Sequence, residues 1–238
     1  MLCVSADATP STALQAPVTA EVEIVKRGAA NQATSNTDSA NGSNVVVWLI
    51  PLDSSPQTSA TTAPPTQAPE LVQRNKTFQP HILVVEVGTV VQFPNKDPFF
   101  HNIFSLFEGK RFDLGLYEAG SSRTMRFDRP GVSFLFCNIH AEMSGVVVAV
   151  GTPYFGSSDR SGHLAISHVP DGRYEMHVWY ERSLPEDLKG LTRALTISDS
   201  AHSLNPIRVL DNPNFSVVHK NKYGLDYVPP PLPGYMNP

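Results

Sequence analysis

The segment Cys137-Asn138-Ile139-His140-Ala141-Glu142-Met143 sets a thiol, an imidazole and a thioether at C-x2-H-x2-M spacing. A second imidazole stands upstream at His101, within Asn95-Lys96-Asp97-Pro98-Phe99-Phe100-His101-Asn102. One cysteine, two histidines and a weak methionine make the ligand set of a blue-copper electron-transfer site. Thiolate and thioether are soft and suit Cu(I), whereas imidazole suits both copper oxidation states. A short loop that supplies most of the donors, with the last one coming from elsewhere in a sheet, leaves the geometry to the polypeptide rather than to the metal.

The flanking sequence is of the kind that positions such donors. Val132-Ser133-Phe134-Leu135-Phe136 is an apolar, strand-like run that delivers Cys137. Ile82 to Val87, Gly88-Thr89, and Val90 to Phe93 read as two strands around a tight turn. His101 to Leu106 reads as a third, and Thr124 to Phe127 and Val132 to Cys137 flank the turn Arg129-Pro130-Gly131. Gly145 to Val150 closes this central module, which spans residues 70–151. Phe93, Phe99, Phe100 and Phe107 crowd His101 in sequence and are candidates for an apolar shell that limits water and helps set a redox potential.

Outside the module, Ala20 to Arg27 alternates as a strand and Val45 to Ile50 is a short buried-strand run. Residues 28–43 read as a loop, and Asp53 to Pro69 as a flexible boundary rich in Ser, Thr, Ala and Pro. Gly162 to Val169, Pro170-Asp171-Gly172, and Arg173 to Glu181 predict a hairpin with Tyr174, Met176, Val178 and Tyr180 on one face. Leu191 to Ser198 adds a strand, and Leu184 to Lys189 has room for a turn or two of helix. Residues 1–19 read as a disordered tail and 201–238 as an extended, Pro-rich one. The fold class expected is all-β, with many short β-branched and aromatic runs between turn signals.

Composition narrows the function classes. The 238 residues carry a net charge of -4 and are 41% hydrophobic, enough for a sizeable core. No Lys/Arg cluster points to nucleic acid, and no long apolar run points to a transmembrane segment. Of the two cysteines, Cys3 lies in the polar tail and Cys137 in the core pattern, so a bond between them is not expected. The stretch before Cys3 is not a complete export signal.

Residues 78–150 resemble the cupredoxins, the plastocyanin/amicyanin/pseudoazurin group. The resemblance rests on Phe78-x-Pro80, Gly88 to Phe93, Asn95-x-Asp97, His101-Asn102 and Cys137-x2-His140-x2-Met143, and the loop is closer to the short amicyanin-like one. It implies a Greek-key β-sandwich with one mononuclear type 1 copper at its end. It further implies His101, Cys137 and His140 as strong ligands, Met143 as axial ligand, and Asn102 as the residue whose backbone amide steadies the thiolate. The edge of His140 would be the electron exit. This loop lacks the proline often beside the family's second histidine, and Glu142 offers a carboxylate that competes with Met143 for the axial position.

Gly162-His163-Leu164-Ala165-Ile166, Val169-Pro170-x-Gly172-x-Tyr174 and Val178-Trp179 are similar to the carboxypeptidase-regulatory-like (prealbumin-like) β-sandwich. The expected architecture is therefore a cupredoxin sandwich (70–151) inserted in, or joined to, a second sandwich made from 20–53 plus 152–200. The expected function is a one-electron carrier, not an enzyme, that serves an unidentified redox protein in the periplasm or outside the cell. Copper storage or delivery, and a cell-surface or glycan-binding module with an incidental copper site, are the alternatives. His163 and His177 could meet across the expected hairpin, though no third ligand accompanies them.

Overall fold

Along β1 (Val18–Lys26) buried and exposed residues alternate, with Val18, Ala20 and Val22 inward, the period-2 signature of a half-buried strand. The computed structural model describes residues 16–27, 44–53, 67–106, 109–198, 200–216 and 219–227. After β1 and β2 (Val46–Pro51) the chain builds a central body. Its strands are β3 (Val72–Arg74), β4 (Thr77–Gln79), β5 (Ile82–Glu86), β6 (Val90–Pro94), β7 (His101–Ser105), β8 (Phe112–Tyr117), β9 (Ser122–Arg126), β10 (Gly131–Phe136) and β11 (Ser144–Val150). The chain then returns with β12 (Phe155–Ser157), β13 (His163–Ile166), β14 (Gly172–Trp179), α1 (Pro185–Lys189), β15 (Arg193–Ile197) and β16 (Ile207–Asp211). The expected all-β class is what the structure has; α1 is the one helix among the described residues.

Strands that precede the central body pair with strands that follow it. β13, β1 and β16 form one sheet, and β12, β2, β14 and β15 form a second. Val18, Val22, Val47, Leu49, Ile166, Tyr174 and Met176 fill the apolar core between them. The central body has a sheet of order β5-β11-β10-β7-β8, with the pairs β3-β4 and β6-β9 as its other strands. Its core holds Leu71, Phe93, Ile103, Leu135 and Val147. β5 runs parallel to β11, while β10 is antiparallel to both β11 and β7. Gly88, at φ 98°, makes the turn that takes the chain from β5 in this sheet to β6.

A third apolar core joins the two bodies. Val46, Ile82, Val146, Val148 and Val150 are buried in it, with Trp48, Phe134, Phe155 and Trp179 against them. β2 and β11 each supply two cores from opposite faces: Val47 and Leu49 point one way and Val46 and Trp48 the other, as Val147 and Ala149 oppose Val146 and Val148. Strands covered on both faces read as continuous apolar runs, which is why residues 45–50 and 145–150 lack alternation.

Three expectations are corrected. The hairpin over 162–181 does not form: β13 pairs with β1, β14 pairs with β2 and β15, and Pro170-Asp171-Gly172 crosses from one sheet to the other. Tyr174, Met176, Val178 and Tyr180 do share one face, into the outer core. An alternating pattern fixes the face of a strand but not its neighbour. His163 and His177 consequently lie in different sheets; His163 meets Glu21, and His177 stacks on Trp48. Ile207–Asp211, placed in the tail, is a strand parallel to β1, and β1 itself begins at Val18, inside the expected N-terminal tail. Cys3, Phe107, the loop 28–43, most of the stretch from 53 to 69, and the Pro-rich segment beyond 227 lie outside the described residues.

Candidate metal centre

Period 2 brings the donors inward. On β10, Ser133 and Leu135 face the central core, and one further step past the strand end puts Cys137 on the same side, fully buried. On β7, His101 shares the inner face with Ile103, and both are fully buried. Opposite Ile103 the β7–β8 register slips, and Gly115 on β8 takes φ 70°. Such irregularities re-aim side chains beside functional sites.

The loop from Cys137 to Met143 closes on itself. The Cys137 amide donates to the Met143 carbonyl at 3.2 Å, and the Met143 amide to the His140 carbonyl at 3.1 Å. Cys137 Sγ lies 3.7 Å from His101 Nδ1 and 3.5 Å from His140 Nδ1. The donor atoms of these three residues all fall within 4.8 Å of one another. Donors about 2.0–2.3 Å from a shared centre in a trigonal plane stand roughly 3.6 Å apart, so the thiol and the two imidazoles fit a thiolate-bis-imidazole metal site. Met143 is buried beside Cys137 in the same core, whereas Glu142 is exposed. The side chain turned into the body at this end of the loop is therefore the thioether.

Burial dominates the electrostatics of two of the donors. Burial pushes the Cys137 thiol up, against the downward pull of backbone amides from Asn102, Ile139 and His140. Burial, reinforced by His101 and Lys76, holds His140 below the ordinary histidine value, which keeps its ring neutral and able to ligate. Phe99 packs 5.2 Å from the His101 ring and 5.6 Å from the His140 ring. Phe100 turns outward and is 51% exposed, so it is not part of the inner shell.

One residue of the site escaped the sequence reading although it stood in a quoted motif. Asp97 Oδ2 accepts from His101 Nε2 at 2.8 Å, and the same carboxylate accepts the backbone amides of Asn75 and Lys76. These two residues, at φ 54° and 55°, form the two-residue turn between β3 and β4. Burial pushes the Asp97 carboxyl up, but the Lys76 amide, His101 and the Asn75 amide together hold it below the usual range. Fixing the proton on His101 Nε2 leaves the Nδ1 lone pair facing the sulfur. Asn95 anchors the same loop by donating to the Phe99 carbonyl at 2.8 Å while its own oxygen accepts the Asp97 amide. The i, i+4 spacing of Asp97 and His101 was the available signal.

No family model and no curated protein matches the chain. Among solved structures, a purple cupredoxin from Nitrosopumilus maritimus is similar over 34% of this chain and 99% of its own, at 26% identity and TM-score 0.32. An oxidized amicyanin variant is similar over 35% of this chain and 82% of its own, at 19% identity and TM-score 0.33. A copper-containing nitrite reductase (NirK) from Thermus scotoductus SA-01 is similar over 35% of this chain and 22% of its own, at 23% identity and TM-score 0.34.

Proposed function

We propose that the protein is a one-electron carrier in which His101, Cys137 and His140, with Met143 as a weaker fourth donor, would hold a single type 1 copper. The observation that carries this reading is the pair of imidazole Nδ1 atoms at 3.7 and 3.5 Å from a buried cysteine sulfur. Bound copper would supply the Cu(I)/Cu(II) couple; no substrate bond is made or broken, which makes this a carrier rather than an enzyme. The residues' part is to hold one geometry in both oxidation states. Asp97 fixes the His101 ring, the closed loop fixes Cys137 and His140, and Phe99 covers both rings. His140 is the half-buried ligand, whereas His101 is fully buried, so the His140 edge is the proposed exit for the electron. The cupredoxin resemblance extends the proposal to a redox-protein partner and a place outside the cytoplasm. No helix among the described residues is long and apolar enough to cross a membrane.

The strand pairing supports two folding units, the central one (70–151) inserted between β2 and β12 of the outer one. We propose the prealbumin-like assignment for the outer unit on its motif and its three- and four-stranded sheets. The outer unit reaches to β16, beyond the boundary at 200 that the sequence suggests.

The visible absorption spectrum of the purified protein after addition of Cu(II), beside Cys137→Ser, tests the copper reading. An intense thiolate-to-copper band that is absent from the variant is the expected result. A red or green spectrum would replace Met143 by an oxygen donor such as Glu142. A protein with no charge-transfer band would overturn the carrier reading.

A further inference from the structure

The segment 219–227 lies across the ligand loop from outside, although it is 78 to 90 residues away in sequence. The Tyr227 hydroxyl donates to the Cys137 carbonyl at 2.7 Å. The Lys222 amide donates to Asn138 Oδ1 at 3.0 Å. His219 Nε2 donates to the Ala141 carbonyl at 2.8 Å, and the His219 ring stacks on Phe136 with centroids 3.9 Å apart. These contacts reach the first, second and fifth residues of the Cys137–Met143 loop and the residue before it. The inner face of the loop looks at the metal donors, so the segment restrains the face that the donors do not use.

A second line of contact runs to the other side of the sulfur. Lys222 Nζ meets Asp113 Oδ2 at 2.8 Å, and Asp113 Oδ1 accepts from the Asn102 side chain at 2.7 Å. Asn102 directly follows the donor residue His101 on β7. Tyr227 also lies 3.3 Å from His219 Nδ1, ring edge to ring face, so the two residues brace each other over the loop.

We propose that residues 219–227 are a strap that positions the ligand loop, with Tyr227 and His219 as its positioning residues; in assigning them an effect on copper, this rests on the copper reading above. The backbone on both flanks of His140 is tied to a part of the chain outside the cupredoxin-like body, and the loop thereby holds one conformation whether or not it is loaded. Ligand release needs the loop to swing outward, and the strap opposes that motion.

The test uses the full-length protein with Tyr227→Phe, His219→Phe and both together. The first removes only a hydroxyl; the second removes the donor to Ala141 and keeps a ring on Phe136. In metal-free protein, amide hydrogen exchange across residues 137–143 is expected to rise about tenfold in the double variant, the effect of losing two hydrogen bonds of ordinary strength. Amides of β2 and β14 keep their rates. In copper-loaded protein, loss of the charge-transfer band to a Cu(I) chelator is expected to speed up by a similar factor. Unchanged loop exchange overturns the strap, and so does a rise shared equally by β2 and β14, which would be general destabilisation. A wild type with no charge-transfer band overturns the copper reading instead, and the metal-free exchange then decides the strap alone.

Discussion

The outer and central sandwiches are built from the same kind of strand, yet they bury different things. The outer core is aliphatic and aromatic, from Val18 and Leu49 to Met176 and Val209. The central body buries Gln73, Asn95, Asp97, His101, Asn102, Ser105 and Ser133, whereas the outer strands and their links bury only Thr152, Ser158 and Asp211 among the described residues. Buried polar groups cost stability unless they are hydrogen-bonded, and most of those in the central body are. Asp97 takes three donors, and Gln73 donates to the Tyr117 hydroxyl, which donates to the Phe93 carbonyl. One sandwich gives its interior to cohesion, the other gives part of its interior to aiming side chains.

The largest effect is expected where cohesion is all there is. Leu49→Ala or Met176→Ala should destabilise the protein by about 2–5 kcal/mol, measured by denaturant unfolding, while the metal-site absorption survives below the transition. A copper spectrum that changed with either variant would break the division of labour. At the aiming end, Asp97→Ala should cost about 1–3 kcal/mol in stability by orphaning buried donors and roughly 10–100-fold in metal retention. Parallel unfolding and chelator-competition measurements separate the two, and a stability loss without a retention loss would reduce Asp97 to a structural residue.

The smallest effect concerns the joint between the sandwiches. His81, just before β5, meets Glu181, just after β14, at 2.7 Å. The hydrogen bond that His81 Nε2 donates to Glu181 raises His81 above its ordinary value of 6.5 against the opposing effect of burial. A raised folded value means that the contribution is complete below pH 6.5 and disappears as the pH climbs through the raised value. His81→Gln should flatten that part of the stability-pH profile, read from unfolding midpoints between about pH 5 and 8. An unaltered profile would assign the dependence elsewhere.

The candidate donors were legible in the sequence because residue type and spacing mark them: C-x2-H-x2-M after an apolar run needs no tertiary information. The run at 45–50 likewise announced a buried strand, whereas 145–150 read only as the strand that closes the central module. What was not legible was partnership. β8 (Phe112–Tyr117) is broken by Gly115 and has few buried positions, so no alternation marks it. The 162–181 segment alternates well, yet its two strands belong to opposite sheets. Asp97 reads as a polar loop residue until the β3–β4 turn is brought over it. His219 and Tyr227 carry no local signal, because their value lies in a loop some eighty residues upstream.

The third core, shared by β2, β11 and their neighbours, also bears on how the molecule meets others. Apolar side chains pack across the joint and His81–Glu181 spans it, so a pivot of the His140 edge relative to the outer sandwich would have to break both. A protein that docked on that edge would meet the central body and the outer sandwich as joined neighbours rather than a head on a swivel. Association then freezes no hinge and carries no added entropy cost for one. The angle of approach then involves both sandwiches, so anything that tethers the outer one also sets the direction in which the candidate metal site faces.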